Sequence, residues 1–247
     1  MTSFKTRINQ ISKKNGKIIL ANDYDTSTPK LALKTIQNIK KFNKFLCGLK
    51  LNFHLLLPLG AKEISSITKT ARHYGIQTIA DIKLNDIGNT NKVTTETLWN
   101  LGFDAVIINP IMGVSSLKNI ISSSHKKNKG VITLCHMSAP EAKLSYDLKI
   151  KLDNNNQSRL YQLFLDWAIL HKADGIIVGA TFPDIIKYCK KKTGKKLNIY
   201  SPGIGTQGGN VNEVLSAGSD YLIVGRTILN SKNPTKTVQE LSLQSLS

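Results

Sequence analysis

Two charged side chains, Asp81 and Lys83, flank an apolar residue at the end of the segment QTIADIK (77–83), and Asp86 follows three positions later. Side chains alternate between the two faces of a strand, so Asp81 and Lys83 would share one face and Ile82 would occupy the other. Opposite charges interact strongly where water is scarce, and a buried ion pair is a costly way to gain stability. The spacing therefore favours electrostatic or acid–base chemistry, and an ordinary surface charge cluster is the alternative.

A glycine-rich stretch, SPGIGTQGG (201–209), contains the pattern G-x-G-x-x-G. In a dinucleotide-binding domain this pattern follows the first strand, and an acidic residue ends the next strand about 20 residues later. Here the next apolar segment ends at Arg226, and it lies near the end of the sequence. An arginine suits a phosphate, so the stretch predicts a phosphate-binding loop whose backbone closes over the anion. A plain glycine-rich turn is the alternative.

The elements that would position these residues are short apolar segments that alternate with helical patterns. Nearly continuous apolar strands indicate parallel strands buried on both faces. Eight such units in 247 residues predict one (β/α)8 TIM barrel over residues 1–247, with a doubly wound open sheet as the alternative. The eight predicted strands are 17–22, 47–52, 77–83, 104–109, 130–136, 175–180, 197–201 and 221–225.

Helical spacing predicts three helices, at 31–42, 61–75 and 157–170, and Gly75 suits the end of the second. In the first of them, the residues expected on one buried face are Leu31, Leu33, Ile36, Ile39 and Phe42. The connection 137–156 looks irregular and mobile, and we expect it to cover a site.

In a (β/α)8 barrel, chemistry lies at the C-terminal ends of the strands. The sequence places polar residues at these ends in six of the eight units, so they are expected to converge at one mouth. Those on which the prediction depends are Asp23, Lys50, Asp81, Lys83, Asp86, Ser138 and Arg226.

The net charge of +18 has two interpretations, a nucleic-acid surface or solvated lysine-rich faces. Lysines cluster at 39–44, 125–129 and 187–196, but no RNA-binding motif or zinc finger accompanies them. We expect solvated faces, and a positive field would also favour capture of a small anionic substrate.

The sequence has no apolar segment of membrane-spanning length and no apolar region typical of a signal peptide. Its three cysteines, Cys47, Cys135 and Cys189, have no metal-ligand spacing with the histidines. We therefore expect a cytoplasmic protein without a membrane partner or a structural metal.

The segment DIKLNDIGNT (81–90) resembles the signature of the orotidine 5'-phosphate decarboxylase family. The resemblance covers almost the whole sequence and is to the compact microbial form of that family. It implies decarboxylation of orotidine 5'-monophosphate (OMP) to UMP and carbon dioxide in pyrimidine biosynthesis, without metal or organic cofactor. It also implies a homodimer with shared active sites. Five further segments carry it in order: LANDYD (20–25), GLKLN (48–52), HMSAP (136–140), SPGIGTQGG (201–209) and IVGR (223–226).

The resemblance also implies roles for individual residues. Lys83 would protonate pyrimidine C6 beside Asp81, with Lys50 and Asp86 completing the charged chain. Asp23 and Lys50 would bind the ribose. The other implied substrate-binding residues are Ile87 and Thr90, reaching across the dimer with Asp86; Ser138 at the pyrimidine edge; Gln207 bridging base and phosphate; Pro202 and Ile204 walling the base pocket; and Gly208, Gly225 and Arg226 at the phosphate.

Plainer roles are open for four of these residues. Asp23 could be a turn or cap residue, and Lys50 could face solvent. Ser138 could cap the next helix, and Thr90 could N-cap or begin the helix after the third strand. Asn22 and His136 receive no role.

Two other functions are also open. Magnesium-dependent sugar-phosphate enzymes on the same scaffold, such as 3-keto-gulonate-6-phosphate decarboxylase or hexulose-phosphate synthase, share the D-x-K-x-x-D pattern. The Asn89-Thr90 pair, Ser138 and Gln207 favour the nucleotide enzyme. An RNA-binding protein on a barrel that has lost its activity is the more distant possibility, since it would make the charges at the strand ends incidental.

Overall fold

A closed barrel of parallel strands forms the centre of the protein in this computed structural model, which describes residues 2–25, 30–152 and 157–246. Eight strands form the barrel, and two more form a separate antiparallel pair. The strands are β1 (Ile18–Ala21), β2 (Gly48–Asn52), β3 (Gln77–Leu84), β4 (Ala105–Ile108), β5 (Gly130–His136), β6 (Lys149–Lys151), β7 (Gln157–Arg159), β8 (Gly175–Val178), β9 (Asn198–Pro202) and β10 (Tyr221–Val224).

Around the barrel the strands follow chain order, with β5 beside β8 and β10 beside β1. Leu20 of β1, for example, lies between Leu49 of β2 and Val224 of β10. Because the sheet closes on itself, the open doubly wound alternative is excluded. The predicted (β/α)8 barrel is confirmed.

Helices surround the barrel or lie at its ends. They are α1 (Phe4–Asn15), α2 (Leu31–Phe42), α3 (Phe53–Leu56), α4 (Ala61–His73), α5 (Gly88–Asn100), α6 (Val114–Lys126), α7 (Ala142–Ser145), α8 (Leu160–Leu170), α9 (Pro183–Thr193), α10 (Val211–Ser216), α11 (Arg226–Leu229) and α12 (Pro234–Gln244). Two short 3₁₀ turns, Asn43–Phe45 and Pro110–Met112, complete the regular elements of the described ranges.

The barrel strands are apolar without alternation because both of their faces are buried. Ile18, Ile19 and Leu20 of β1 are all fully buried, one face lying inside the barrel and the other under the helices. α1 lies at the opposite end from the C-terminal mouth, where the fully buried Phe4 packs against Gly130 at the start of β5.

Three local predictions differ from the structure. Leu33 is 49% exposed, so it does not belong to the buried face of α2. The helix predicted at 157–170 begins at Leu160, because residues 157–159 pair with β6 and the Arg159 backbone N–H is capped by Gln162 Oε1 at 2.8 Å. The connection 137–156 was expected to be irregular, but it contains α7 and β6; its residues 153–156 lie outside the described ones.

None of the helices in the described ranges combines the length and the apolar character needed to span a bilayer.

Candidate active site

A chain of alternating charges crosses the C-terminal mouth of the barrel. Asp81 lies at its centre, with Oδ2 at 2.8 Å from Lys50 Nζ and Oδ1 at 3.0 Å from Lys83 Nζ. Asp23 extends the chain, with Oδ1 at 4.0 Å from Lys50 Nζ. Four residues predicted from three different strand ends therefore form one connected network.

The inner part of this network is removed from solvent. Lys50 is 4% exposed and Asp81 is 7% exposed, so the solvent-facing alternative for Lys50 is excluded. Burial by itself would raise the pKa of Asp81, but the ammonium groups of Lys50 and Lys83 outweigh it and hold that pKa below its ordinary value. The Asp81 side chain is therefore a carboxylate at neutral pH.

Lys83 reaches this network through an irregular backbone. Its φ is +45°, a left-handed value that costs a residue with a side chain conformational energy. The pairing of β3 with β4 shifts register between Asp81 and Leu84, so simple strand alternation ends before Lys83. The predicted proximity of Asp81 and Lys83 is found, but a local distortion at the strand end produces it.

The network lines a cavity of about 280 Å³ at the barrel mouth. Apolar side chains from β4, β5, β8 and β10 form its floor: Ile107, Leu134, Ile177 and Ile223. Its polar and loop lining contains ten of the predicted residues: Asp23, Lys50, Asp81, Lys83, Ser138, Pro202, Ile204, Gln207, Gly225 and Arg226. An apolar pocket with a few convergent polar groups is typical of a small-molecule site.

One side of the cavity is the loop 203–209, which follows β9. The loop folds on itself through Gly208 N–H to the Gly205 carbonyl at 2.7 Å and Gly209 N–H to the Gly203 carbonyl at 3.0 Å. Gly203, Gly205 and Gly208 have φ values of +102°, +72° and +98°, which glycine adopts at little cost. Gly208 itself is exposed and outside the lining of the cavity.

The turn after β10 faces this loop. A Cβ at Gly225 would lie 2.9 Å from the Ala21 carbonyl oxygen and 3.3 Å from Asp23 Oδ2, so a larger residue would crowd the end of β1. Arg226 follows as the first residue of α11 and is exposed to the cavity. The glycine loop and the arginine predicted to hold a phosphate therefore line the same cavity.

Ser138 lines the cavity from the turn after β5. Thr181 Oγ1 donates to the Ser138 carbonyl at 2.9 Å, and a Cβ at Gly179 would lie 2.4 Å from Ser138 Cα. The next helix, α7, has Glu141 as its N-cap residue, so the alternative role of Ser138 as that cap is excluded.

Asp86, Ile87 and Thr90 lie outside the cavity lining of their own chain. All three are exposed, and Asp86 Oδ1 accepts the Ile87 backbone N–H at 2.7 Å. Thr90 lies in the first turn of α5, whose first residue is Gly88. These residues therefore lie on the protein surface beside the barrel mouth.

Three polar lining residues were not predicted: Asn52, Thr206 and Thr227. Asn52 accepts a hydrogen bond from Lys50 Nζ, and its position two residues after Lys50 on the same strand could have revealed it. Thr206 and Thr227 contact each other between the loop and α11, and no single segment of sequence signals that pairing.

Two polar residues without a predicted role lie beside the site. Asn22 is fully buried and joins β1 to α2, donating to Thr35 Oγ1 at 2.8 Å and accepting from Asn38 Nδ2 at 3.0 Å. His136 is also fully buried, and its ring lies 4.4 Å from the Phe182 ring centroid. Burial lowers the pKa of His136, although the Met137 carbonyl and Asp147 act in the opposite direction.

Within residues 2–25, 30–152 and 157–246, no group of three or more His, Cys, Asp or Glu side chains is arranged to hold a metal ion.

Comparison with known proteins gives consistent results. Residues 16–241 match the family described as Orotidine 5'-phosphate decarboxylase / HUMPS family. The chain is 31% identical to the orotidine 5'-phosphate decarboxylase of Pyrococcus furiosus over 210 residues, which are 85% of this chain and 89% of the relative. It is 32% identical to the Pyrococcus abyssi enzyme of the same name, over 91% of this chain and 96% of that one.

A solved structure agrees with these relatives. The crystal structure of orotidine 5'-phosphate decarboxylase from Pyrococcus horikoshii OT3 superposes with a TM-score of 0.74 at 28% identity, over 93% of this chain and 99% of that one.

Proposed function

This chain belongs to the orotidine 5'-phosphate decarboxylase / HUMPS family, and we propose that Lys83 and Asp81 carry out its reaction at the barrel mouth. The reaction is the decarboxylation of OMP to UMP and carbon dioxide in pyrimidine biosynthesis. The observation that carries the residue assignment is that the Lys50–Asp81–Lys83 network shares one cavity with Arg226 and the loop 203–209.

The chemical difficulty is the charge that develops on the pyrimidine ring. When the bond between C6 and the carboxylate breaks, its electron pair stays on C6 and carbon dioxide leaves. Lys83 Nζ stabilises that carbanion and then donates a proton to C6, which gives UMP. Its 3.0 Å contact with Asp81 fixes its ammonium group beside the cavity before substrate arrives.

The charge of Lys83 supplies only part of the rate acceleration. Unit charges about 4 Å apart at an effective dielectric of about 20 interact by roughly 4 kcal/mol. Enzymes commonly lower barriers by about 8–23 kcal/mol, so the remainder must come from preorganised dipoles and from binding of the distant phosphate.

Asp81 has a second effect in this proposal. It stays ionised, so it would repel the substrate carboxylate if that group lies beside it. Lys50 keeps Asp81 charged and in place from the buried side, at 2.8 Å. The repulsion is relieved as carbon dioxide leaves, which favours the transition state over the bound substrate.

The substrate's orientation follows from the two ends of the cavity. Asp23 and Lys50 would bind the ribose hydroxyls, and Gly225 with Arg226 would bind the phosphate. Pro202 and Ile204 would wall the base, and Ser138 would recognise its polar edge. Gln207 would bridge base and phosphate, and Gly208 would let the loop close over the phosphate. Each of these residues except Gly208 lines the cavity, which supports the assignment.

We further propose a homodimer in which Asp86, Ile87 and Thr90 complete the partner's site. These three residues are exposed beside the mouth. Large apolar side chains lie exposed on the neighbouring segments after β2, β3 and β4, and a dimer would bury them. They are Phe53 at 56%, Leu57 at 69%, Ile87 at 67%, Val93 at 50% and Ile111 at 58% exposure.

We also propose a cytoplasmic location and a single domain over residues 1–247. Three free, buried thiols in the described part of the chain, Cys47, Cys135 and Cys189, support a reducing compartment. The family match over residues 16–241 supports one domain.

The test of the function is the ultraviolet assay of OMP loss with purified protein, in a chelator and again with added magnesium. Equal rates of UMP formation in both conditions are expected for decarboxylation carried out by the protein's own side chains. A rate that appears only with magnesium, or turnover of a hexulose phosphate instead of OMP, would favour the sugar-phosphate alternative.

A further inference from the structure

We propose that Thr227 is a positioning residue that locks the loop 203–209 onto the turn after β10 and so sets the distance between Gln207 and Arg226. The inference rests on the proposed function, because it concerns the phosphate end of the same cavity. Thr227 follows Arg226 directly, and its contact Thr206 precedes Gln207 directly. A bond between the two threonines therefore joins the neighbours of two phosphate-site residues.

The hydroxyl of Thr227 makes three hydrogen bonds with the loop. A threonine hydroxyl has one hydrogen to donate and two lone pairs that accept. Thr227 Oγ1 donates to the Ile204 carbonyl at 2.9 Å and accepts the Thr206 backbone N–H at 3.2 Å. Since its hydrogen is used, the 3.1 Å contact with Thr206 Oγ1 is one in which Thr206 donates.

Thr227 can hold the loop but cannot donate a hydrogen bond to a phosphate. With its donor and both lone pairs engaged on residues 204 and 206, Thr227 has no hydrogen left for a phosphate oxygen. Its effect on the substrate must pass through the loop that it holds. Arg226, by contrast, is exposed to the cavity and has donors that can bind the phosphate directly.

The glycine at position 205 is shaped to this contact. A Cβ there would lie 2.5 Å from Thr227 Oγ1 and 2.9 Å from Thr227 Cγ2, so the threonine side chain occupies the space that a larger residue would need. Gly205 also has a φ of +72°. Glycine at this position therefore serves the close approach of Thr227 as well as the turn itself.

The test compares Thr227→Val, which keeps the shape and removes the hydroxyl, with Thr227→Ser, which keeps the hydroxyl. For each variant, kcat/KM is measured with OMP and, with enzyme in excess, with orotidine, which lacks the phosphate. The loss of the three hydrogen bonds is expected to lower kcat/KM for OMP about 10- to 100-fold. Activity on orotidine should change by less than about threefold, because no part of the chemistry at Lys83 is removed.

Thr68→Val is the matched control. Thr68 Oγ1 also joins two segments, bonding to the carbonyls of Ser65 at 3.1 Å and Leu101 at 2.7 Å, but it is not among the cavity's lining residues. Its loss should lower stability without changing the ratio of the two substrates' kcat/KM values. Thr227→Ser should keep most of the activity on OMP.

The proposal is overturned if Thr227→Val leaves the ratio of kcat/KM for OMP to kcat/KM for orotidine at the wild-type value. This holds whether both activities stay the same or fall together. It is also overturned if Thr227→Ser is as impaired as Thr227→Val. A separate readout is the ratio of the Kd values of UMP and uridine. Thr227→Val should bring these two Kd values closer together. If the wild type does not decarboxylate OMP, the proposed function fails, and this binding ratio still decides the role of Thr227.

Discussion

The proposed sharing of active sites makes a quantitative prediction for mixtures of two impaired variants. Lys83 lines the cavity of its own chain, whereas Asp86 is exposed outside it, so in the proposed dimer the two residues of one site come from different chains. Lys83→Ala should be inactive as a homodimer, and Asp86→Ala should be strongly impaired. Truncating one member of a hydrogen-bonded charge pair across an interface costs about 2–5 kcal/mol, and that cost corresponds to a rate loss of about 30- to 5,000-fold for Asp86→Ala.

In a heterodimer of the two variants, one site lacks both residues and the other has both. Random exchange of equal amounts makes about half of the dimers heterodimers, each with one intact site of two, so about a quarter of the wild-type activity should return. The assay is the ultraviolet loss of OMP before and after exchange, with exchange verified by mass tags on one variant.

The control mixes Lys83→Ala with the double variant Lys83→Ala/Asp86→Ala, in which no arrangement yields an intact site. A complete lack of recovery in the test mixture after verified exchange would refute the shared site. So would an Asp86→Ala homodimer that retains wild-type activity.

The remaining predictions concern the phosphate and pH. Arg226→Ala should lower kcat/KM for OMP far more than for orotidine, and equal losses would remove Arg226 from the phosphate site. Burial lowers the pKa of His136, so the folded protein resists protonation of this histidine. The free energy of unfolding should therefore decrease as pH falls below about 6.5, and His136→Gln should flatten that decrease in urea unfolding. A hydrogen bond to Asp174 raises the pKa of His125, so its contribution is full below about pH 6.5 and is lost as pH rises through the higher folded value. His125→Gln should therefore reduce stability mainly at low pH. If both variants changed the free energy of unfolding at low pH in the same direction, these assignments would be contradicted.

The fold and most of the cavity followed from the sequence for a simple reason. Parallel strands buried on both faces are continuous apolar runs, and the ends of such runs mark the mouth at which side chains such as Asp81 and Arg226 converge. The eight segments were therefore sufficient to place the chemistry at one end of the barrel.

What could not be predicted depends on contacts between distant segments. The left-handed backbone of Lys83 arises where β3 breaks register with β4, which alternation alone does not reveal. Residues 157–159 continue an apparently helical run but pair with β6 instead. The Thr206–Thr227 contact spans 21 positions and exists only after the barrel closes.

The catalytic claim is tested most directly by Lys83→Ala in the ultraviolet assay of OMP loss, with Lys62→Ala as a control on the exposed surface of α4. Losing roughly 4 kcal/mol of charge stabilisation removes about three orders of magnitude in rate, and losing the proton donor removes about 10²- to 10⁴-fold more. We predict a loss of at least about 10⁵-fold, with the circular dichroism spectrum and UMP binding retained. A Lys83→Ala protein that keeps more than a few per cent of wild-type activity would contradict the account.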